Sequence, residues 1–350
     1  MNCVKDRLVH GVAQFDAVQI LDLRDTSVEI FVEDSVCWYV HYGKNSTKIM
    51  QNNPEKLTWA KPTTISREGE FYYWYTIPLT NYYHTLLDGV GSLTHYLELL
   101  KTKPNMKLLL NRTPRSKGGV MVHPPFVYEL LELLDIPYEL TSDDTIYERV
   151  YYGAPLGIEN GKRCRPPIVQ YDLLRECIRV AKTRAPAAPS LSSGKVYLSR
   201  RAHANPLSDR KAVLGEDNTI KRGLTNEDDA VEILSSLGYT EVFGENYTLA
   251  EKIVIFNNMN KYISTAGAGV ANMLWTMPNS VSVGGIHSPG FRFPGTDHST
   301  HICTGPNVNC SINLYPDKVL FIDPAQGAKN YNSPWFINDL TAFRSWAEQI

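Results

Sequence analysis

His84 and Asp88, two polar residues in a segment of helical pattern, have the types and the spacing for acid–base chemistry. Residues four apart share one face of an α-helix, and Ser92 and His95 extend the same polar stripe. A carboxyl group on such a stripe suits a general base that removes the proton from an attacking hydroxyl. The alternative is a His–Asp pair that only orients a loop, or a solvated helix face. Asn81 is the expected N-cap of this helix.

Gly267 and Gly269 form a turn between a predicted strand and a predicted short helix. Glycine lets the backbone approach a phosphate group closely, and the N-terminus of the helix supplies free N–H donors. A tight turn that binds nothing can have the same sequence, so the pattern alone leaves both interpretations open. The fingerprint of nicotinamide-binding proteins needs an acidic residue after the next strand, and Gly284 and Gly285 stand there instead.

Two arginines, Arg200 and Arg201, follow Ser199 at the end of another predicted strand. A guanidinium group holds two phosphate oxygens at once, so these residues could neutralise a diphosphate without a metal ion. The alternative is a solvated pair on the surface. Arg222 and the pair Asn226-Glu227 precede the next helix, where they either bind the same ligand or cap the helix.

Metal ligands are not arranged in a recognisable site. The sequence has no Asp-x-Asp motif, which argues against a diphosphate held through a divalent ion on that motif. His298, His301 and Cys303 are close in sequence, but no further ligand follows at a suitable spacing, so a polar loop is expected there. We therefore expect neither a metal nor a cofactor.

The elements that must position these residues alternate between strands and helices, which predicts an α/β fold. The strands are predicted at 18–23, 27–32, 36–42, 71–77, 106–110, 138–140, 146–152, 195–199, 240–243, 262–265 and 281–283. The helices are predicted at 81–100, 125–134, 169–183, 226–237, 249–257, 270–276 and 338–349. The helix at 249–257 begins with a capping box formed by Thr248 and Glu251.

Residues 185–194 are rich in Pro, Ser and Gly, which disfavour both helix and strand, so we predict that they form a linker. It separates a domain at 1–184 from a domain at 195–350, and the last helix could pack back on the first domain. In the second domain, strand, glycine turn, helix and strand follow one another as in a Rossmann unit. Ligands of paired α/β domains usually bind in the cleft between them.

The 350 residues carry a net charge of −2, which disfavours nucleic acid and anionic membranes as partners. The six cysteines are scattered without a C-x-x-C pair, as in proteins with reduced thiols. No apolar run approaches the length of a transmembrane segment. We expect a soluble, cytoplasmic protein, or one of the Golgi lumen if an anchor has been trimmed away.

Taken together, these motifs resemble glycosyltransferase family 61 over about residues 71–285. The family's N-x-x-H-x-x-x-D is similar to Asn81, His84 and Asp88, and its strand followed by arginine is similar to residues 198–201. Its R-x-x-x-N-E resembles residues 222–227, and its helix and glycine turn resemble residues 249–256 and 266–272. Three features depart from the family pattern. Ala266 replaces a usual His and so lacks a ring that could touch the donor phosphate or the acceptor, Lys252 replaces a common Gln, and the acidic residue often found after the next strand is absent near Gly284.

The resemblance implies a GT-B fold, in which two Rossmann-like domains face each other across a cleft, and an inverting, metal-independent transfer. The donor would be a UDP-sugar, with xylose favoured over N-acetylglucosamine, and the acceptor a hydroxyl of an oligosaccharide or glycoprotein glycan. Asp88 would be the base, assisted by His84, and Asn81 and His95 would contact the acceptor. The implied donor-binding residues are Ser199, Arg200, Arg201, Asn226, Thr265, Ala266, Gly267, Ala268, Gly269 and Asn272.

Two other classes of function remain open. A non-catalytic protein that binds a nucleotide sugar or a glycan on a transferase fold would explain the missing histidine at Ala266. A nicotinamide-dependent oxidoreductase would use the glycine turn, but the turn comes late in the chain and the acidic residue that binds ribose is absent. In a thermal-shift screen, stabilisation of the protein by a UDP-sugar but not by NAD would distinguish these two classes.

Overall fold

The computed structural model describes residues 2–3, 12–21, 28–33, 36–43, 46–52, 65–74, 82–110, 123–142, 145–153, 158–159, 162–163, 168–188, 191, 193–200, 224, 226–265, 267–276, 281–286, 311–312, 322–324, 335–337 and 339–350. The chain divides into two compact units, Met1–Leu173 and Leu174–Ile350. The division falls inside a helix that precedes the predicted linker. The predicted α/β class is confirmed, because helices alternate with strands of partly or fully parallel sheets.

The first unit contains a mixed sheet of nine strands: β1 (Asn2–Cys3), β2 (Val12–Leu21), β3 (Val28–Glu33), β4 (Val36–Gly43), β5 (Ser46–Asn52), β6 (Ile65–Trp74), β7 (Lys107–Leu110), β8 (Tyr138–Leu140) and β9 (Thr145–Gly153). Their order is β1-β5-β4-β3-β2-β9-β6-β7-β8. Pairing is antiparallel from β1 to β9 and parallel from β9 to β8. Strands β10 (Ile158–Glu159) and β11 (Lys162–Arg163) form a separate antiparallel pair.

The helices of the first unit follow the parallel strands. A helical turn at Tyr82–His84 continues into a π-helical turn, Thr85–Gly89, and then into α1 (Val90–Leu100). Helix α2 (Pro125–Leu133) has Pro125 at its first position, where a missing N–H costs nothing. Helix α3 (Ile168–Arg184) spans the division between the units.

The second unit contains a parallel sheet of five strands: β12 (Lys195–Leu198), β13 (Thr240–Val242), β14 (Lys261–Thr265), β15 (Ser282–Ile286) and β16 (Ser311–Ile312). Their order is β13-β12-β14-β15-β16. Helices α4 (Glu227–Ser236) and α5 (Leu249–Asn257) and a 3₁₀ helix, Ala268–Thr276, connect the strands. The predicted capping box at Thr248 and Glu251 is present.

The end of the chain adds a strand pair and a helix. Strands β17 (Ile322–Pro324) and β18 (Trp335–Ile337) pair antiparallel, and α6 (Leu340–Gln349) follows with Asp339 as its N-cap. The helix predicted near 338–349 buries its apolar face in the core of the second unit. There Phe343 and Trp346 join residues of β12, α4 and β14, including Tyr197, Ala230, Leu234 and Ile263.

The first sheet builds its own core from alternate side chains of its central strands. Phe15 and Val18 of β2 pack with Phe71 and Tyr73 of β6 and with Val150 of β9, and all are at most 2% exposed. Since β9 lies between β2 and β6, the three strands present their apolar side chains on one face. This core fixes the end of β6 and therefore the start of the helical segment that follows it.

Candidate functional site

The two residues of the predicted acid–base pair meet in the first unit. His84 Nδ1 and Asp88 Oδ2 are 2.7 Å apart. The side chain of Asp88 is 10% exposed and that of His84 is 35% exposed, so the carboxyl group is sheltered while the ring reaches solvent. A buried carboxyl group oriented by a neighbouring imidazole is an arrangement that can take up a proton from a hydroxyl.

Asp88 lies in the π-helical turn rather than in regular α-helix. The Val90 N–H donates to the Thr85 carbonyl, five residues back. Single π-helical turns inside α-helices occur frequently at functional sites. The carbonyls of this turn are also bound from outside: Gln170 Nε2 donates to Leu87 O at 2.8 Å, and Trp74 Nε1 donates to Gly89 O at 2.9 Å. The sequence carried no signal for either contact.

The rest of the polar stripe packs against β6 and β9. Ser92 Oγ donates to Gly153 O at 3.0 Å and lies 2.9 Å from the Tyr72 hydroxyl. A Cβ on Gly153 would lie 2.6 Å from His95 Cδ2, so the half-buried His95 ring packs against this glycine. Ser92 therefore joins the helix to the sheet, and acceptor binding by His95 stays a prediction.

In the second unit, the candidate residues gather where the strand order reverses. The chain passes from β12 to β13 on one side and then returns to β14 on the other. In open parallel sheets, ligands bind outside the carboxyl ends of the strands at such a switch point. Ser199 and Arg200 follow β12, and Thr265 and Gly267 lie at the end of β14 and just beyond it.

Arg200 and the glycine turn lie against each other. A Cβ built on Gly267 would lie 2.5 Å from Arg200 Nη1, so only glycine leaves room for the guanidinium group in this position. A Cβ on Gly269 would collide with Leu198 of β12, and the Gly269 carbonyl accepts a hydrogen bond from the Tyr262 hydroxyl at 2.8 Å. Both glycines thus permit close approach, and they bring a cationic group beside backbone N–H groups.

Glu227 organises the end of β12. Its Oε1 accepts hydrogen bonds from the Tyr197 hydroxyl at 2.7 Å, the Ser199 hydroxyl at 2.8 Å and the Arg200 N–H at 3.1 Å. The residue is 3% exposed, and Oε2 has no hydrogen-bond partner within the part of the chain that the structure describes. The sequence singled out Asn226-Glu227 as a ligand or cap, but nothing in it indicated that Glu227 holds the turn that carries Arg200.

Thr265 and Asn272 are buried at the glycine turn, with 2% and 3% of their surfaces exposed. Thr265 Oγ1 has no hydrogen-bond partner among the described residues. Burial raises the pKa of the Tyr262 hydroxyl, which therefore stays protonated and able to donate to Gly269 O. An unpaired buried hydroxyl costs free energy, so a ligand that reached Thr265 Oγ1 would gain a hydrogen bond there.

Asn226 is engaged with the backbone of β18. Its Nδ2 donates to Ile337 O at 2.9 Å, and its Oδ1 accepts from the Ile337 N–H at 3.0 Å. The amide thus joins α4 to the strand that precedes α6. Three other predicted site residues, Asn81, Arg201 and Ala266, lie outside the described residues.

No three His, Cys, Asp or Glu side chains of the described residues cluster in a way that could hold a metal ion. The segment that contains His298, His301 and Cys303 lies outside those residues. Metal independence therefore stays a prediction. Among the helices that the structure describes, none combines the length and the apolar composition needed to cross a membrane.

The comparison with protein families agrees with this geometry. The model of the family described as Glycosyltransferase 61 matches residues 82–283, which is more than half of the 350-residue chain. The match begins at the helical segment of His84 and Asp88 and includes β12 to β14 with Arg200 and the glycine turn. No curated protein matches the chain.

The chain is thus a glycosyltransferase, an enzyme that uses a sugar donor and an acceptor. It belongs to glycosyltransferase family 61, as its sequence motifs indicated.

Proposed function

We propose that this glycosyltransferase moves a sugar from a UDP-sugar to a hydroxyl of a glycan acceptor by a single inverting displacement without a metal ion. The observation that carries the proposal is the contact between Arg200 and Gly267 at the switch point of the parallel sheet. A guanidinium group beside a glycine turn offers the charge and the N–H donors that a leaving diphosphate needs. The GT-B type arrangement is part of the proposal.

In the proposed reaction, an acceptor hydroxyl oxygen forms a bond to the anomeric carbon while the bond from that carbon to the diphosphate oxygen breaks. Asp88 takes the hydroxyl proton, and His84 orients the carboxyl group through the 2.7 Å contact. Arg200 and the backbone near Gly267 receive the negative charge of the departing UDP. Attack opposite the leaving group converts an α-linked donor into a β-linked product.

We propose xylose as the transferred sugar, with N-acetylglucosamine as the alternative. The acceptor is an oligosaccharide or a glycoprotein glycan. Arg201, Ala266, Ala268 and Asn272 are assigned to the donor with Arg200, and Asn81 and His95 to the acceptor.

A panel of nucleotide sugars tests the proposal. We expect one UDP-sugar to raise the melting temperature of the purified protein, and NAD to leave it unchanged. With glycan acceptors added, UDP should be released at the same rate with and without EDTA. Failure of every nucleotide sugar to bind would reject the donor site at Arg200 and Gly267.

Ala266 motivates a second candidate function, since the family usually has a histidine there. In that case the protein binds a nucleotide sugar or a glycan without transferring the sugar. Binding with no UDP release from any donor and acceptor of the panel would select this candidate.

A further inference from the structure

Asp88 is held by its backbone as well as by His84. The Leu87 carbonyl belongs to the peptide group that joins Leu87 to Asp88, and it accepts a hydrogen bond from Gln170 Nε2 at 2.8 Å. The same amide donates to Leu86 O at 3.3 Å. On the other side of Asp88, Trp74 Nε1 donates to the Gly89 carbonyl at 2.9 Å.

The two donors come from elements far from the turn in sequence. Trp74 is the last residue of β6, and Gln170 lies in the first turn of α3. Both are 0% exposed, so their hydrogen bonds do not compete with solvent. The turn between them is π-helical, and a regular α-helical turn would place the carbonyls at different angles about the helix axis.

A buried glutamine at position 170 is energetically unfavourable if its role is packing alone. Its Oε1 is buried and has no hydrogen-bond partner among the residues that the structure describes. A buried polar atom without a partner destabilises the folded state, and leucine or methionine would fill a similar volume without that cost. The amide therefore contributes something that an apolar side chain cannot, which is the N–H donation to the turn of Asp88.

We propose that Gln170 is a positioning residue for the catalytic base: its amide fixes the π-helical turn in which Asp88 points at the acceptor hydroxyl. This inference rests on the proposed function for the role of Asp88. It assigns to the start of α3 a part in the reaction that neither the family motifs nor the spacing of His84 and Asp88 indicates.

A double-mutant cycle with Gln170→Met and Asp88→Asn tests the proposal, with UDP release from UDP-xylose or UDP-N-acetylglucosamine in the presence of xylan-derived and N-glycan-derived oligosaccharides as the assay. Gln170→Met should lower kcat about tenfold in the wild-type background, since small displacements of a catalytic group cost large factors in rate. It should leave the Kd for UDP unchanged. In the Asp88→Asn background it should cause no further loss, because there is no base left to position.

The control is Leu174→Met, a buried substitution one helical turn further along α3 at a side chain without hydrogen-bonding groups. It should leave kcat unchanged in both backgrounds. Equal losses from Gln170→Met in the two backgrounds would show a general structural role and overturn the proposal. Full activity of Asp88→Asn alone would also overturn the proposal, because Asp88 would then not be the catalytic base that Gln170 is proposed to position.

Hydrogen exchange gives a readout that needs no substrate. In Gln170→Met, amides of residues 82–92 should exchange faster than in the wild type, while exchange in the second unit is unchanged. Unaltered exchange at 82–92 would reject the positioning role even if the donor and acceptor were wrongly chosen. Faster exchange with no turnover from any donor would instead place the failure in the proposed function.

Discussion

At the scale of single residues, Asp88 and His84 show how a helix shelters one partner of a pair and exposes the other. The carboxyl group is 10% exposed and the ring 35% exposed. An acceptor that approached from solvent would therefore meet the ring before the carboxyl group, which suits His84 for contact with the acceptor as well as for orienting Asp88.

Replacing Asp88 by Asn tests the base directly. We expect kcat to fall by about 100-fold or more, because general base catalysis contributes about 10²–10⁴ in rate. The Kd for UDP, measured by calorimetry, should not change. Asp135→Asn is the matched control, since Asp135 is exposed and its positive φ of 53° is one that Asn tolerates. Near-normal turnover of Asp88→Asn would remove Asp88 from the mechanism.

Tyr197→Phe tests the hydrogen bonds that Glu227 receives. The substitution removes the 2.7 Å bond from the Tyr197 hydroxyl and leaves a buried carboxyl group with one donor fewer. The free energy of unfolding in urea should fall by about 1–2 kcal/mol. Tyr239→Phe is the control within the same core, because among the described residues the Tyr239 hydroxyl makes only a 3.5 Å contact with Ala347 O. Equal effects of the two substitutions on the free energy of unfolding would show that the hydrogen bond to the Glu227 carboxyl group does not stabilise the fold.

At the scale of elements, the glycine turn after β14 is the feature whose geometry can be altered most cleanly. Alanine at 267 forces the Arg200 guanidinium group to move, and this group is the end of a flexible side chain. We therefore expect Gly267→Ala to raise the Kd for UDP about tenfold, or 1.4 kcal/mol, with little change in melting temperature. Gly244→Ala should change neither quantity, because its nearest neighbour would be Leu198 Cδ1 at an ordinary 3.6 Å. Unchanged UDP affinity in Gly267→Ala would show that the glycine turn takes no part in donor binding.

Local patterns predicted the helices well but missed several of the strands. The apolar spacing over 81–100 predicted a helix, and the segment 82–100 is helical. The π-helical turn at Thr85–Gly89 could not be predicted, because its carbonyl partners come from residues 74 and 170, which no local spacing reveals. Strand β5 was missed for a similar reason: its polar sequence has little strand preference, and pairing with β4 makes it a strand.

The same distinction applies to the candidate site. Types and spacing correctly brought His84 next to Asp88 and placed Arg200 and Gly267 at strand ends. Glu227 and Asn226 lie at the start of α4, and their partners lie at the end of β12 and on β18. These contacts depend on how α4 packs in the folded chain, and local sequence patterns do not reveal that packing.

At the scale of the whole molecule, Cys177 reports on the integrity of the fold. It lies in α3, four residues beyond the division between the units, and is 0% exposed. Burial raises the pKa of its thiol to about 12, so the reactive thiolate is scarce at pH 8. In the native protein the Cys177 peptide should resist iodoacetamide, as followed by mass spectrometry, and should become alkylated across the urea unfolding transition. Rapid alkylation without denaturant would show that α3 opens locally.

The strand order of the first unit has a consequence for how the chain folds as it is synthesised. Strands β1 to β5 and strands β6 to β8 form two groups, and β9 joins them by pairing with β2 and with β6. Val12 pairs with Gly153, so β2 cannot pair with β9 until the ribosome has synthesised the chain through Gly153. Until then β2 and β6 each have an unpaired edge, and unpaired strand edges can pair with other nascent chains. We expect this unit to depend on chaperones during translation.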